Sequence, residues 1–187
     1  PGLSDLRPVR GGVPLPEGAA PKDWAFALTD SSGASVPVQS EVLATWPDGS
    51  AKWVLLDFEA APPASGVLDY TLTAAQVQDA VRPDAPVLVD GCGLRSGPLA
   101  LTLPPDALLE VAGRGRITLI AEDSAGACWT ARAQSVSADA AGPLRGTLCL
   151  SGSLCDAEGR RWFDFRLWVS LFAGLSRVLL EPLILIN

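Results

Sequence analysis

"VPVQSEVLATWPDGSAKWVLLDF", residues 36–58, decides the fold class. Two apolar runs flank Pro47, Asp48 and Gly49. Proline presets φ for the first corner of a turn, aspartate tolerates the second, and glycine supplies the positive φ that closes it, so the arms are expected to pair as an antiparallel hairpin. On the first arm a period of two puts Val36, Val38, Val42, Ala44 and Trp46 on one face and Gln39, Glu41 and Thr45 mostly on the other. On the second arm Trp53 and Leu55 alternate with Val54, Leu56 and Phe58, so both faces are apolar. One face should line a core and the other should be covered as well. At least one of Trp46 and Trp53 is expected in that core; the alternative is that the pair grips a ligand.

Outward from the hairpin, glycine and proline punctuate short alternating segments. Strands are expected near 7–13, 24–29, 36–46, 51–59, 67–73, 87–94, 98–103, 115–122, 126–136, 143–155, 160–173 and 176–187. Only "AAQVQDAV", 74–81, could hold a helical turn. Such spacing reads as an all-β sandwich or closed barrel. The proline-rich joins "APPASG" and "VRPDAP" read as surface loops rather than linkers, so 1–187 is expected to be a single domain. A chain of this length buries roughly 70% of its unfolded surface and needs no covalent staples.

Composition excludes much chemistry. The formal net charge is −7 and no Lys/Arg-rich block occurs, which argues against nucleic acid or an anionic bilayer as partner. No apolar run reaches the ~18 residues of a membrane helix. With no histidine, neither an imidazole base nor a His-ligated metal site can be built. No cofactor motif appears, and none is expected. Cys92, Cys128, Cys149 and Cys155 lack metal spacing and are expected to be buried free thiols. Cys149 and Cys155 fall on one strand, about 20 Å apart, too far to bridge.

"GGVPLPEG" (11–18), "VPVQSEVLATWPDGSAKWVLLDF" (36–58), "GPLRGTLCLSG" (142–152) and "RLWVSLFAGLSRVLLEPLILIN" (166–187) together resemble the amino-terminal domain of the exo-rhamnogalacturonan lyase-like family. The resemblance spans nearly the whole chain and implies a RIFT barrel, a small closed or partly open β-barrel of cradle-loop type, here with extra antiparallel hairpins. It further implies a secreted or periplasmic polypeptide in which the barrel precedes an (α/α) toroid-type catalytic domain acting on uronic-acid polysaccharide. The partners it implies are that downstream domain and a polysaccharide.

Elimination across a uronic acid needs a base at the C5 proton and a cation or donor at the carboxylate. The available bases are Tyr70, Lys22 and Lys52. Tyr70 lies mid-strand, where an aromatic is ordinarily a packing residue, and Lys52 reads as a solvated hairpin residue. Catalytic residues are therefore expected outside the chain. For binding, "RWFDFRLWVSLF" puts Phe163, Phe165, Leu167, Val169 and Leu171 on one strand face and Trp162, Asp164, Arg166, Trp168 and Ser170 on the other. Trp162 and Trp168 could stack on sugar rings while Asp164 and Arg166 bond hydroxyls or carboxylates. The favoured reading, however, is that this face packs on another domain with Asp164 and Arg166 paired. The closing run "LLEPLILIN" is too apolar for a strand with one wet side; part of it is expected to be covered by a following domain and, in the chain by itself, to be sealed by the barrel or used in self-association.

Overall fold

The computed structural model describes residues 6–62, 65–75, 81–105 and 107–186. Every regular element among them is a β-strand, and the backbone divides into two compact units, Pro1–Asp84 and Ala85–Asn187.

The first unit holds β1 (Arg7–Pro14), β2 (Ala25–Asp30), β3 (Ser35–Val36), β4 (Val38–Thr45), β5 (Ala51–Ala60) and β6 (Tyr70–Ala75). They form two three-stranded sheets, ordered β1-β5-β4 and β3-β2-β6. The expected strand 36–46 is cut at Pro37, which has no N–H to give a ladder. Val36 consequently pairs with Leu28 on β2, while Val38 pairs with Phe58 on β5. The expected hairpin is β4–β5, closed through Gly49 at φ 85°. Its core face is the one carrying Val54, Leu56 and Phe58, packed with Phe26, Ala20 and Ala51.

The second unit holds β7 (Leu88–Asp90), β8 (Gly93–Ser96), β9 (Leu99–Thr102), β10 (Leu109–Val111), β11 (Gly115–Ile117), β12 (Ile120–Glu122), β13 (Cys128–Ala141), β14 (Arg145–Cys155), β15 (Arg161–Phe172) and β16 (Val178–Leu185). Two five-stranded sheets, β11-β10-β9-β8-β7 and β12-β13-β14-β15-β16, share one core. Leu148, Leu150 and Leu154 of β14 meet it beside Phe165, Leu167, Val169 and Leu171 of β15, as the period of two requires.

Several boundaries differ from expectation. The run 87–94 is two strands because a turn at Gly91, φ 49°, interrupts it. The run 115–122 is β11 and β12, which belong to different sheets. Strand β10 was not foreseen: three residues are too few to establish an alternation. The sixth strand starts at Tyr70 rather than 67, and it already includes Ala74 and Ala75 of the expected helical turn, the rest of which, 76–80, lies outside the described residues.

Three connections share one chemistry that the sequence carries as Asp-x-x-Gly: "DSSG" (30–33), "DSAG" (123–126) and "DAEG" (156–159). In each, the glycine N–H donates to the aspartate carbonyl, and the N–H four residues after the aspartate donates to its carboxylate. Each glycine has φ of 83° or 84°, a region costly for residues with a Cβ. The side-chain oxygen thus satisfies backbone donors that the turn would leave unpaired. Charge stabilisation by those donors follows. The Asp30 carboxyl is held below its ordinary value, first by the Ser32 hydroxyl, and that of Asp123 first by the Ala127 N–H. Burial pushes the Asp156 carboxyl up, but bonds from the Arg160 backbone and guanidinium outweigh it and leave it lowered.

Candidate functional site

At the head of the hairpin, β4 and β5 lose register twice, between Val42 and Ala44 and between Ala44 and Thr45. Leu43 and Lys52 are the residues left over, so alternation does not carry through to the tryptophans. Trp46 is half-buried, its indole N–H donating to Leu15 O at 2.9 Å and its ring lying 4.4 Å beneath the Lys52 ammonium. Trp53 is 41% exposed and lies against Gly12, where a Cβ would come within 2.3 Å of its Nε1. Neither belongs to the buried core, which corrects the expectation that one would. "GGVPLPEG" serves this arrangement: Gly12 gives the indole room, and Leu15 N bonds Lys52 O at 2.9 Å. Tyr70 has its ring edge-on to Phe58, centroids 5.0 Å apart, the packing role expected of it.

Behind the core-facing residues of β5 the opposite face is more polar than expected. Asp57 is buried and lies 3.7 Å from Arg10 of β1, its cross-strand neighbour. Two residues on, one carboxylate oxygen of Glu59 is enclosed without a hydrogen-bond partner, and burial pushes that carboxyl above its ordinary value.

In the second unit the face of the β12–β16 sheet turned away from its core carries Asp164, Arg166 and Trp168, with Ser153, Ser151 and Cys149 across from them on β14. At the start of β15 the register shifts between Ser153 and Cys155, so two residues of β15, Trp162 and Phe163, oppose one of β14. Trp162 therefore does not alternate onto the Asp164 face. It stacks on Phe163 with centroids 4.4 Å apart and meets Trp129 at 5.1 Å. Arg161 comes next to Asp164 instead, its Nη2 at 3.0 Å from Oδ1. Between them sits fully enclosed Ser153, which donates to Asp164 Oδ1 at 2.6 Å and accepts from Arg161 Nε at 2.9 Å. Arg161 Nη2 at 2.6 Å and Gln134 Nε2 at 3.3 Å are second and third donors to that hydroxyl.

Thus Asp164 is tied to Arg161, whereas Arg166 is exposed and has no ion pair among the described residues. Trp168 is half-buried between Cys149 and Glu181, its cross-strand neighbours. On β13, Arg132 pairs with Ser153 and so lies on this same face, also exposed and also without an ion pair among the described residues. The sheet gathers Arg132, Arg161 and Arg166, which are scattered in sequence, onto one surface. Further along, the face closes on a buried polar group in which Thr147 and Ser170 hydroxyls lie 2.8 Å apart and Arg145 Nη2 donates to Ser170 at 3.4 Å. Beyond β15, Leu179, Leu183 and Leu185 of β16 are exposed, while Val178 and Leu180 pack on the core. Of the cysteines, all free thiols, only Cys155 is buried; Cys92 and Cys128 are exposed, contrary to expectation, because Cys92 sits in the turn between β7 and β8 and Cys128 is the first residue of β13.

The family model described as the PcRGLX-like N-terminal RIFT barrel domain matches residues 6–72. The match takes in the first two of the four segments that carried the resemblance and stops before the other two. No curated protein matches the chain. Among solved structures the chain is similar to an alpha-mannosidase from Enterococcus faecalis V583, with 11% identity and a TM-score of 0.55. The alignment covers 98% of this chain and 28% of that one, so this chain spans under a third of the mannosidase's length.

Proposed function

With residues 6–72 matched to the PcRGLX-like N-terminal RIFT barrel domain, we propose that this chain is a non-catalytic β-module of a polysaccharide-processing enzyme, a lyase of the exo-rhamnogalacturonan type, which supports a catalytic domain downstream of it. The match is the observation that carries the proposal. The likeness of fold to part of an alpha-mannosidase is in keeping with a module inside a larger glycan-active polypeptide. So is the exposed run of Leu179, Leu183, Ile184, Leu185 and Ile186, which suits contact with a following domain. In this reading the bases and cations of the chemical step lie on the partner domain, and Tyr70 and Lys52 remain with Phe58 and Trp46 as packing residues.

The test is twofold. The isolated chain, incubated with uronic-acid polysaccharides, should produce no absorbance in the unsaturated-uronate band; activity that vanishes in Tyr70→Phe would place the catalytic site inside the module and end the proposal. The second reading, an autonomous carbohydrate-binding module, draws on Trp168 beside Arg166 and Asp164 on an open sheet face. Retardation of the chain in gels containing pectic polysaccharide, lost in Trp168→Ala, would favour it over the supporting role.

A further inference from the structure

Along β13 in the second unit runs a cleft of about 820 Å³ that the sequence did not foretell. Strand β12 pairs with β13 only from Cys128 to Thr130, and after the Ala131 N–H, which donates to Leu119 O, no strand among the described residues covers this edge. The wall formed by β13 presents Arg132, Gln134 and Ser135; the facing wall presents Leu103, Pro104 and Pro105. The two walls differ in chemistry. Proline has no N–H, so the described residues of the second wall are apolar and poor in donors, whereas the first offers side-chain and backbone partners.

The shape of the polar wall is fixed from below. The register of β13 against β14 shifts between Ala133 and Ser135, a bulge that brings the Gln134 amide onto Ser153. Gly152 allows it: a Cβ there would lie 2.0 Å from Arg132 O and 2.9 Å from Ala133 Cα. Gln134, with its amide nitrogen engaged, keeps its carbonyl oxygen as an acceptor. Among the described residues that line the cleft Arg132 is the one charged residue, and its side chain has no ion pair or hydrogen bond with any of them. A guanidinium presents a planar fork matched to a carboxylate. The volume falls within the roughly 300–1,000 Å³ usual for small-molecule sites.

We propose that this cleft binds an acidic saccharide, its carboxylate held by Arg132, its hydroxyls by Gln134, Ser135 and the open edge of β13, and its ring face by the Pro104–Pro105 wall. That the ligand is a saccharide rests on the function proposed above; that it is an anion with one apolar face rests on the cleft itself.

Calorimetric titration of the whole chain with trigalacturonate and with its fully methyl-esterified, neutral counterpart tests the inference. The acid form should bind at least tenfold more tightly than the ester, and added salt should weaken it. Arg132→Gln should lose that tenfold preference, Arg132→Lys should recover part of it, and Arg177→Gln, an exposed arginine outside the cleft, should keep it. Unchanged melting temperatures would show that the variants are folded. Equal affinity for the two forms, or an Arg132→Gln variant that retains the preference, overturns the inference and leaves the glycan reading intact. Binding of neither form also overturns it, and gel retardation on intact polysaccharide then decides separately whether the glycan reading falls.

Discussion

The buried core of the first unit consists of Ala20, Phe26, Ala51, Val54 and Leu56, two of them alanines. That of the second has seventeen members, twelve of them leucines or phenylalanine spread over both sheets. Yet the family match lies wholly in the first. The difference teaches where sequence is constrained. A thick apolar core tolerates many combinations of leucine, valine and isoleucine at constant volume, so it leaves little sequence signature. A thin one relies on features that few residues can supply: Pro47-Asp48-Gly49 at the hairpin, Gly12 beneath Trp53, Pro37 dividing β3 from β4.

The sharpest way to break this comparison is the same truncation in each core. Leu150→Ala, at a site with no exposure, should cost toward the upper end of the ~2–5 kcal/mol usual for such cavities. Leu56→Ala, in a core with fewer neighbours and more room to relax, should fall toward the lower end. Native-state hydrogen exchange, read separately for amides of the two units, measures both; equal losses would contradict a thick and a thin core.

Two glycines sharpen it at the level of backbone. Gly152→Ala sets a Cβ against main chain, which cannot move without disturbing the β13 bulge, and should cost ~1–3 kcal/mol. Gly12→Ala meets only the half-exposed Trp53 indole, which can swing out, and should change stability by about 0.5 kcal/mol or less while altering tryptophan emission. Urea unfolding with a fluorescence readout distinguishes the cases. A larger loss at Gly12 than at Gly152 would mean that the indole is anchored more firmly than its contacts imply.

Smaller effects come from titration. The carboxyls of Asp30, Asp48, Asp123 and Asp156 lie below their ordinary value of 3.8 in the folded chain. An acid with a depressed folded pKa adds stability above its unfolded pKa and loses it as pH falls through the folded one. Melting temperature should therefore drop as pH is lowered below about 4, and Asp123→Asn should make that drop shallower; an unchanged acid limb would show that the Ala127 and Trp129 donors bond the neutral group equally well. Glu59 has the opposite sign. Its folded pKa is raised above 4.5 by burial, so the folded state holds the proton more tightly, and stability is full below that value and declines as pH rises through the folded one. Glu59→Gln should raise the melting temperature at pH 7 and leave it nearly unchanged at pH 4. A variant destabilised at both would mean that the carboxylate is held by a favourable contact.

The sequence by itself determined that the chain is all-β, that residues 36–58 form a hairpin about Gly49, and that β15 turns Phe165, Leu167, Val169 and Leu171 inward. These follow from local rules: a side-chain period of two and turn residues with fixed φ demands. The Asp-x-x-Gly turns obey the same kind of local rule, since their bonds close within five residues, but they were recognised only in the structure. What only the tertiary structure decided depends on register between strands far apart in sequence. Bulges at Leu43 and at Trp162–Phe163 broke alternation just where tryptophans had been assigned to faces, and a third at Gln134 reshaped β13. A single extra residue reverses which side a strand presents from that point on. For that reason Trp162 left the Asp164 face and Arg161 took its place. The cleft beside Arg132 likewise arises because β12 covers three residues of a fourteen-residue strand, a shortfall set by packing between sheets that no local period encodes.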